Sequence, residues 1–199
     1  AGLGDMSSQI EFLARNPGPL QFQSVYVMYD QMYWQLTYGS IEHCDPVSLH
    51  PKMREYTVFV DAVSKVFAAT GVRVGWSMGP AVILNKMRAI LSHVGAWAPM
   101  AEQKALAKYL LQTDAIKDFL DGFKKEVEDR LRLIYDGLMQ LKSEGLPIDA
   151  VAPEAAIYLT VKIDASGKTW DGKALATQAD VTSFILSEAG LAIVPFYAF

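Results

Sequence analysis

Two near-continuous apolar runs, SVYVMYD (24–30) and EYTVFVDA (55–62), limit the fold more than any other feature. A strand that is apolar at successive positions, and not only at alternate ones, suits a sheet covered on both faces, as in α/β domains with parallel strands. VRVGW (72–76) reads as a third, short strand closed by MGP. Between the first two lies QMYWQLTYGSIEHCDPVSLHP, which carries Gly39, Pro46 and Pro51 and reads as a loop or a short broken helix. In open α/β sheets functional groups gather at strand ends and in the loops that follow them. Asp30, Tyr33, Lys65 and Arg73 all stand at such places.

The second half has a different periodicity. From Ile116, apolar residues recur as Phe119, Leu120, Phe123, Val127, Leu131, Ile134, Leu138 and Leu141, which is one stripe of a long amphipathic helix. Thr113 or Asp114 is placed to cap its start, and Gly145 and Pro147 to stop it. About 29 residues at 1.5 Å rise make roughly 43 Å, more than one small domain needs, so the helix is expected to run from one domain into another, with Gly122 and Gly137 as points of bending. Beyond it, AAIYLTVKID (155–164) and GLAIVPF (190–196) read as strands, separated by a glycine-rich turn at 166–172 and a helix near 180–188. The expected division is therefore 1–115 and 116–199.

Composition narrows the function. With 199 residues, 51% of them hydrophobic and 20% charged, the chain has enough apolar material for a real core. A net charge of -4, with Lys and Arg scattered, gives no basic stripe, so nucleic acid is not an expected partner. The longest apolar run, AGLAIVPFYAF, is about half the ~20 residues of a membrane span and contains Pro195, so no membrane is expected. The single Cys44 forms no internal disulfide, and no basic-then-apolar leader opens the sequence, which together point to the cytoplasm. His43 and Cys44 are adjacent but have no second pair nearby, so no metal site is expected.

A lysine that follows a buried strand ordinarily runs its stem along apolar surface with the amine in water, and a strand arginine ordinarily pairs with a carboxylate. Here the combination matters, since Asp30, Tyr33, Lys65 and Arg73 at neighbouring strand ends would share one cleft. SKVFAATGVRVGWSMGP (64–80) resembles the lysine signature of the class I/II aminotransferases, with Arg73 eight positions after Lys65. MYDQMYWQLTYG is similar to the family segment in which a strand ends on Asp and Tyr follows three residues later. VAPEAAIYL resembles its proline-led small-domain strand, and SEAGLAIVPFYAF its strand near the carboxyl terminus. The four segments follow the family's order across residues 24–199.

The resemblance implies an α/β fold of the aspartate aminotransferase type that binds pyridoxal 5'-phosphate (PLP), with an incomplete large domain over 1–115 and a connecting helix plus most of the small domain over 116–199. It implies transfer of an amino group from an amino acid to a 2-oxo acid, in a homodimer. Lys65 would carry PLP covalently and act as the base for the proton shift. Asp30 would face the pyridine nitrogen and Tyr33 the ring's phenolic oxygen. Arg73, with its planar fork of donors, would grip the phosphate, and Ser64 would be a further phosphate contact. A lyase or synthase on the same scaffold, or a PLP-binding effector module of a regulator, are the alternatives.

The sequence departs from the family pattern in places. Three positions before the lysine, Ser or Gly is usual and Ala62 stands here; Ala155 and Ala156 stand where the family tends toward Gly. SHVGAWAPMAEQ (92–103) replaces a Ser/Thr/Asn-rich loop, and Trp97 in it reads equally as a substrate or dimer contact and as packing. The family's phosphate-capping glycine loop lies well upstream of the aspartate, and its carboxylate-clamping arginine lies downstream of the last strand. Only 29 residues precede Asp30, and no arginine follows Arg132. The expectation is a fragment, cut on both sides, of an enzyme roughly twice this length, and inactive alone.

Overall fold

The structure, a computed structural model, describes residues 25–198. By packing, the chain divides into two compact units. One holds the residues up to Asp129 together with Glu154–Ile157, and the other holds Arg130–Pro153 and Tyr158–Phe199. This division falls inside the long helix, whose first half meets the rest of the first unit through Phe119 and Phe67.

The first unit is built on three strands, β1 (Val27–Asp30), β2 (Thr57–Ala62) and β3 (Gly75–Met78), in the order β1-β2-β3. β1 runs parallel to β2 with Asp30 opposite Val60, and β3 runs antiparallel to β2 with Gly75 opposite Ala62. β2 is the central strand and is covered as its apolar run requires, with Thr57, Val58, Asp61 and Ala62 all buried. β1 departs from the expectation of cover on both faces: Met28 is 76% exposed. It lies at the edge of this sheet, so only alternate residues turn toward the core. β3 also starts later than expected, since Thr70–Val72 forms a 3-10 turn and Arg73 adopts a left-handed backbone (φ 58°), so the ladder begins at Gly75.

The linker after β1 is broken as expected, into turns, a one-turn helix α1 (Pro46–Leu49) and a 3-10 turn (Pro51–Glu55). Asp45 caps α1 through hydrogen bonds from the Val47 and Ser48 amides. A second one-turn helix, α2 (Val63–Val66), follows β2 directly and carries Ser64 and Lys65. Val63 and Val66 are buried and leave Ser64 and Lys65 half-exposed on its outer side. Two helices that the sequence reading left unassigned come next, α3 (Ala81–Val94) and α4 (Met100–Tyr109). The segment 92–103 is thus two helix ends around a short loop, with Trp97 in that loop 54% exposed.

The long helix α5 (Thr113–Ser143) is continuous, and its 31 residues extend about 46 Å. Phe67, two residues beyond Lys65, packs edge-on against Tyr109 of α4 and stacks on Phe119 of α5, which in turn stacks on Phe123. These rings hold the lysine-bearing turn against the helices.

The second unit contains the remainder of α5, a hairpin of β4 (Ile148–Ala150) with β5 (Val161–Ile163), a minimal hairpin of β6 (Thr169–Trp170) with β7 (Lys173–Ala174), and α6 (Gln178–Ala189). Thr177 and Asp180 form a capping box at the start of α6, and Gly190 closes it in a left-handed conformation. The expected strand over 155–164 is reduced to β5, because Ala156 turns left-handed (φ 63°) and interrupts the extended run. The expected strand over 190–196 is absent among the described residues: nothing pairs with it, and Phe196–Ala198 closes into a 3-10 turn.

Gly79 marks the tightest approach among the described glycines of the first unit. A Cβ there would lie 2.7 Å from the Thr57 carbonyl oxygen and 3.1 Å from the Val58 Cα, whereas one at Gly122 in α5 would meet nothing within 4 Å. Gly79→Ala should therefore destabilise the protein by about 1–3 kcal/mol. Gly122→Ala should stabilise it by about 0.4–1 kcal/mol. Denaturant unfolding of the two variants beside the parent checks both signs.

Candidate active site

Pairing fixes where the candidate residues lie. Asp30 is the last residue of β1, and the Gln31 amide that follows donates to the Val60 carbonyl of β2 (3.0 Å). Because β1 and β2 are parallel, both lead out at the same end of the sheet, β1 into the turn carrying Tyr33 and β2 into α2 carrying Ser64 and Lys65. β3 is antiparallel, so its start is at that same end, and the Val63 amide donates to the Val74 carbonyl (3.3 Å). This places Arg73 beside the lysine-bearing turn. Gly75 makes the approach possible, since a Cβ on it would lie 2.9 Å from the Asp61 carbonyl oxygen and 3.1 Å from the Ala62 Cβ.

The side chains differ in how they are held. The Asp30 carboxylate is exposed and accepts a hydrogen bond from the Met32 amide (3.2 Å). Tyr33 is half-buried within two successive turns, the Trp34 amide donating to the Gln31 carbonyl (3.1 Å) and the Leu36 amide to the Tyr33 carbonyl (2.8 Å). The Arg73 guanidinium is exposed and donates through Nη1 to the Thr70 carbonyl (2.9 Å). That bond orients the fork from within its own turn. A carboxylate, a phenol, a hydroxyl, an ammonium and a guanidinium are thus carried on three segments at one end of the sheet.

Two further side chains were not singled out from the sequence. Asp61, on β2, is only 5% exposed; its Oδ1 accepts from the Ala62 amide (2.7 Å) and its Oδ2 from the Trp34 indole (3.1 Å). Burial pushes its carboxyl above the ordinary carboxylate range and the nearby Asp30 charge adds to this, against hydrogen bonds from Ala62, Trp34 and Gln31 that lower it. Tyr38 is also buried, and its hydroxyl donates to the Ala156 carbonyl. Its ionisation is pushed up to about 12, by burial first and then by the Glu128 carboxylate. Tyr38 acts with a short ladder, the Tyr38 amide donating to the Glu154 carbonyl (2.9 Å) and the Ala156 amide to the Leu36 carbonyl (2.8 Å). An aspartate inside an apolar run was the available signal for Asp61. The pairing of 36–38 with 154–156 left none, being a contact between distant segments.

The chain as a whole is similar to known proteins. The family model for aminotransferase class I and II matches residues 20–199. The chain belongs to that family. It is 32% identical over 197 residues to a probable aspartate/prephenate aminotransferase of Rhizobium leguminosarum, covering 98% of this chain and 46% of that protein. It is 30% identical to an aspartate aminotransferase of Geobacillus stearothermophilus, covering 86% and 41%. Among solved structures, an aspartate aminotransferase from Rhizobium meliloti superposes with a TM-score of 0.80 at 26% identity, covering all of this chain and 47% of the other. An aromatic aminotransferase from Pyrococcus horikoshii gives 0.78 at 25% identity, covering 96% and 45%. The fold is thus an aspartate aminotransferase-like PLP-transferase fold, present in part, and the chain spans less than half the length of these relatives. Among the described residues no helix is long and apolar enough to cross a membrane, and no cluster of His, Cys, Asp and Glu is assembled to hold a metal ion.

Asp61 generates a pH effect with a definite sign. Its carboxyl is raised in the folded state, so the fold binds this proton more tightly than the unfolded chain does. The stability it contributes is complete below the unfolded carboxylate value and is lost as pH rises through the folded one. Asp61→Asn removes this slope, so its stability relative to the parent should improve steadily as pH rises across that window. Urea midpoints of both proteins over a pH series measure the difference; parallel curves would refute it.

Proposed function

We propose that this chain carries the lysine-bearing part of a PLP-dependent aminotransferase that moves an amino group from an amino acid to a 2-oxo acid. The observation that supports it most is the convergence at one sheet end of Asp30 from β1, Lys65 from the turn after β2, and Arg73 from the turn before β3. The chemistry of this donor set fits the cofactor: an amine for its aldehyde, a carboxylate for its pyridine nitrogen, and a guanidinium for its phosphate. When bound, PLP supplies an aldehyde that takes up the amino group and a ring that accepts the electron pair left at the substrate α-carbon.

The residues of the chain then divide the work. Lys65 Nζ would hold the cofactor through its aldehyde and would serve as the base for the substrate α-proton. The Asp30 carboxylate holds a proton on the ring nitrogen. Tyr33 donates its hydroxyl hydrogen to the ring's phenolic oxygen. The Arg73 fork binds the phosphate from the turn that Thr70 braces, and Ser64 adds a hydroxyl from the same one-turn helix as Lys65. Residues 1–115 supply the carboxyl-terminal part of the large cofactor-binding domain, and 116–199 the connecting helix and part of the small domain.

The complete activity belongs to an enzyme of the relatives' length, acting as a cytoplasmic homodimer, and the present chain alone does not sustain it. Phosphate binding and orientation of the substrate carboxylate account for several kcal/mol of such a barrier, and Arg73 and Ser64 cover only part of them.

In the full-length enzyme, incubation with PLP, borohydride reduction and peptide mapping should label the peptide that carries Lys65. Label on Lys52 or Lys86 in its place would overturn the assignment. Asp30→Ala should lower turnover by orders of magnitude while Asp30→Glu retains more, since the ion pair strengthens as water is excluded. A rate for Asp30→Ala within about threefold of the parent, under ~0.7 kcal/mol of barrier, would make Asp30 structural.

A further inference from the structure

Asp61 is an improbable residue to find where it stands. It lies on the central strand, one position before buried Ala62 and three after buried Val58, and opposite Trp76 of β3. Among the described residues its hydrogen-bond partners are neutral: the Ala62 amide, the Trp34 indole and the Gln31 side chain. The charge that acts on it is Asp30 on β1, of its own sign. An apolar side chain would be the cheaper occupant, because burying a carboxylate without a cation costs free energy. Trp34 itself is not sealed from water, being 38% exposed.

What the carboxylate does accomplish is geometric. Trp34 and Gln31 flank the stretch that holds Tyr33, and both reach back across the sheet end to the same Asp61 side chain. The turn leaving β1 is thereby fastened to β2, four residues before Lys65. Trp34 also lies against His43, with ring centroids 6.0 Å apart. We propose that Asp61 is a positioning residue, which through Trp34 and Gln31 fixes the 31–36 turn so that the Tyr33 hydroxyl meets the cofactor ring at a set distance. This rests on the reading above, in which Asp30, Tyr33 and Lys65 hold PLP. Asp61 itself touches neither cofactor nor substrate. The burial that raises its carboxyl is the cost of placing an acceptor there.

The test has one arm without cofactor and one with it. In the cofactor-free full-length protein, Asp61→Asn and Trp34→Phe should both speed hydrogen exchange at the Trp34 and Leu36 amides. Asn at 61 faces its three donors with only one acceptor oxygen, and Phe at 34 has no donor. With PLP bound, the pH midpoint of the visible absorbance in Trp34→Phe should move in the same direction as in Tyr33→Phe, by about half a unit or more, ~0.7 kcal/mol. Trp34→Phe should add nothing further in a Tyr33→Phe background, because it acts through that hydroxyl. A purely structural Asp61 would alter exchange and melting temperature and leave the midpoint alone. Unchanged exchange in Asp61→Asn, or a Trp34→Phe midpoint equal to the parent's while Tyr33→Phe shifts it, overturns the proposal. A parent that forms no visible chromophore and shows no reducible lysine overturns instead the assignment of the PLP site, and the exchange arm still decides whether Asp61 holds the turn.

Discussion

Everything at the candidate site depends on β2 being hydrogen-bonded in opposite senses to its two neighbours. The parallel pairing with β1 and the antiparallel pairing with β3 bring two strand exits and one strand entrance to the same end of the sheet. If β3 ran parallel, Arg73 would lie a strand length away from Lys65. The contact that permits this is small. Gly75 lets the β3 backbone sit where a side chain would strike Asp61 and Ala62, and the Val63–Val74 hydrogen bond then ties the lysine-bearing turn to the arginine-bearing one.

Around that pairing the protein places polar groups where an economical core would have none. Asp61 and Tyr38 are both buried, both shifted away from ionisation by burial, and both directed at backbone or side chains of segments that have left the sheet. Asp61 holds the turn after β1, and Tyr38 holds Glu154–Ile157 through the Ala156 carbonyl. Apolar contacts could bury these loops, but hydrogen bonds fix their direction as well as their depth.

The sequence revealed the parts of the fold whose cause is local. The stripe from Ile116 to Leu141 fixed the long helix within a few residues, and the apolar runs located β1 and β2. Asp30, Tyr33, Ser64, Lys65 and Arg73 fell at strand ends or adjoining turns because such ends are marked by a change from apolar to polar residues. The failures have a common origin in backbone conformation and in partners. Left-handed geometry at Arg73 and Ala156 cut short two apolar runs that read as strands, and neither position is a glycine that would have signalled it. The run at 190–196 has the composition of a strand but, among the described residues, no neighbour to complete its hydrogen bonds. The α4 segment carries no clean apolar stripe, whereas α3 has one, at Ile83, Met87, Ile90 and Val94, that was legible in the sequence.

The return of Glu154–Ile157 to the first unit has a consequence for biosynthesis. That unit is discontinuous, so it is not complete when Asp129 has been made; the intervening stretch Arg130–Pro153, which belongs to the second unit, must be translated first. At about 5–20 residues per second the wait is on the order of a few seconds, far longer than turns or hairpins take to form. During it, Leu36 and Tyr38 expose the backbone groups that later bond to Glu154 and Ala156. Nascent chains stalled before and after residue 157 would therefore differ in protease resistance near the amino-terminal strands, and the last piece of the older unit arrives as an insertion in the younger one.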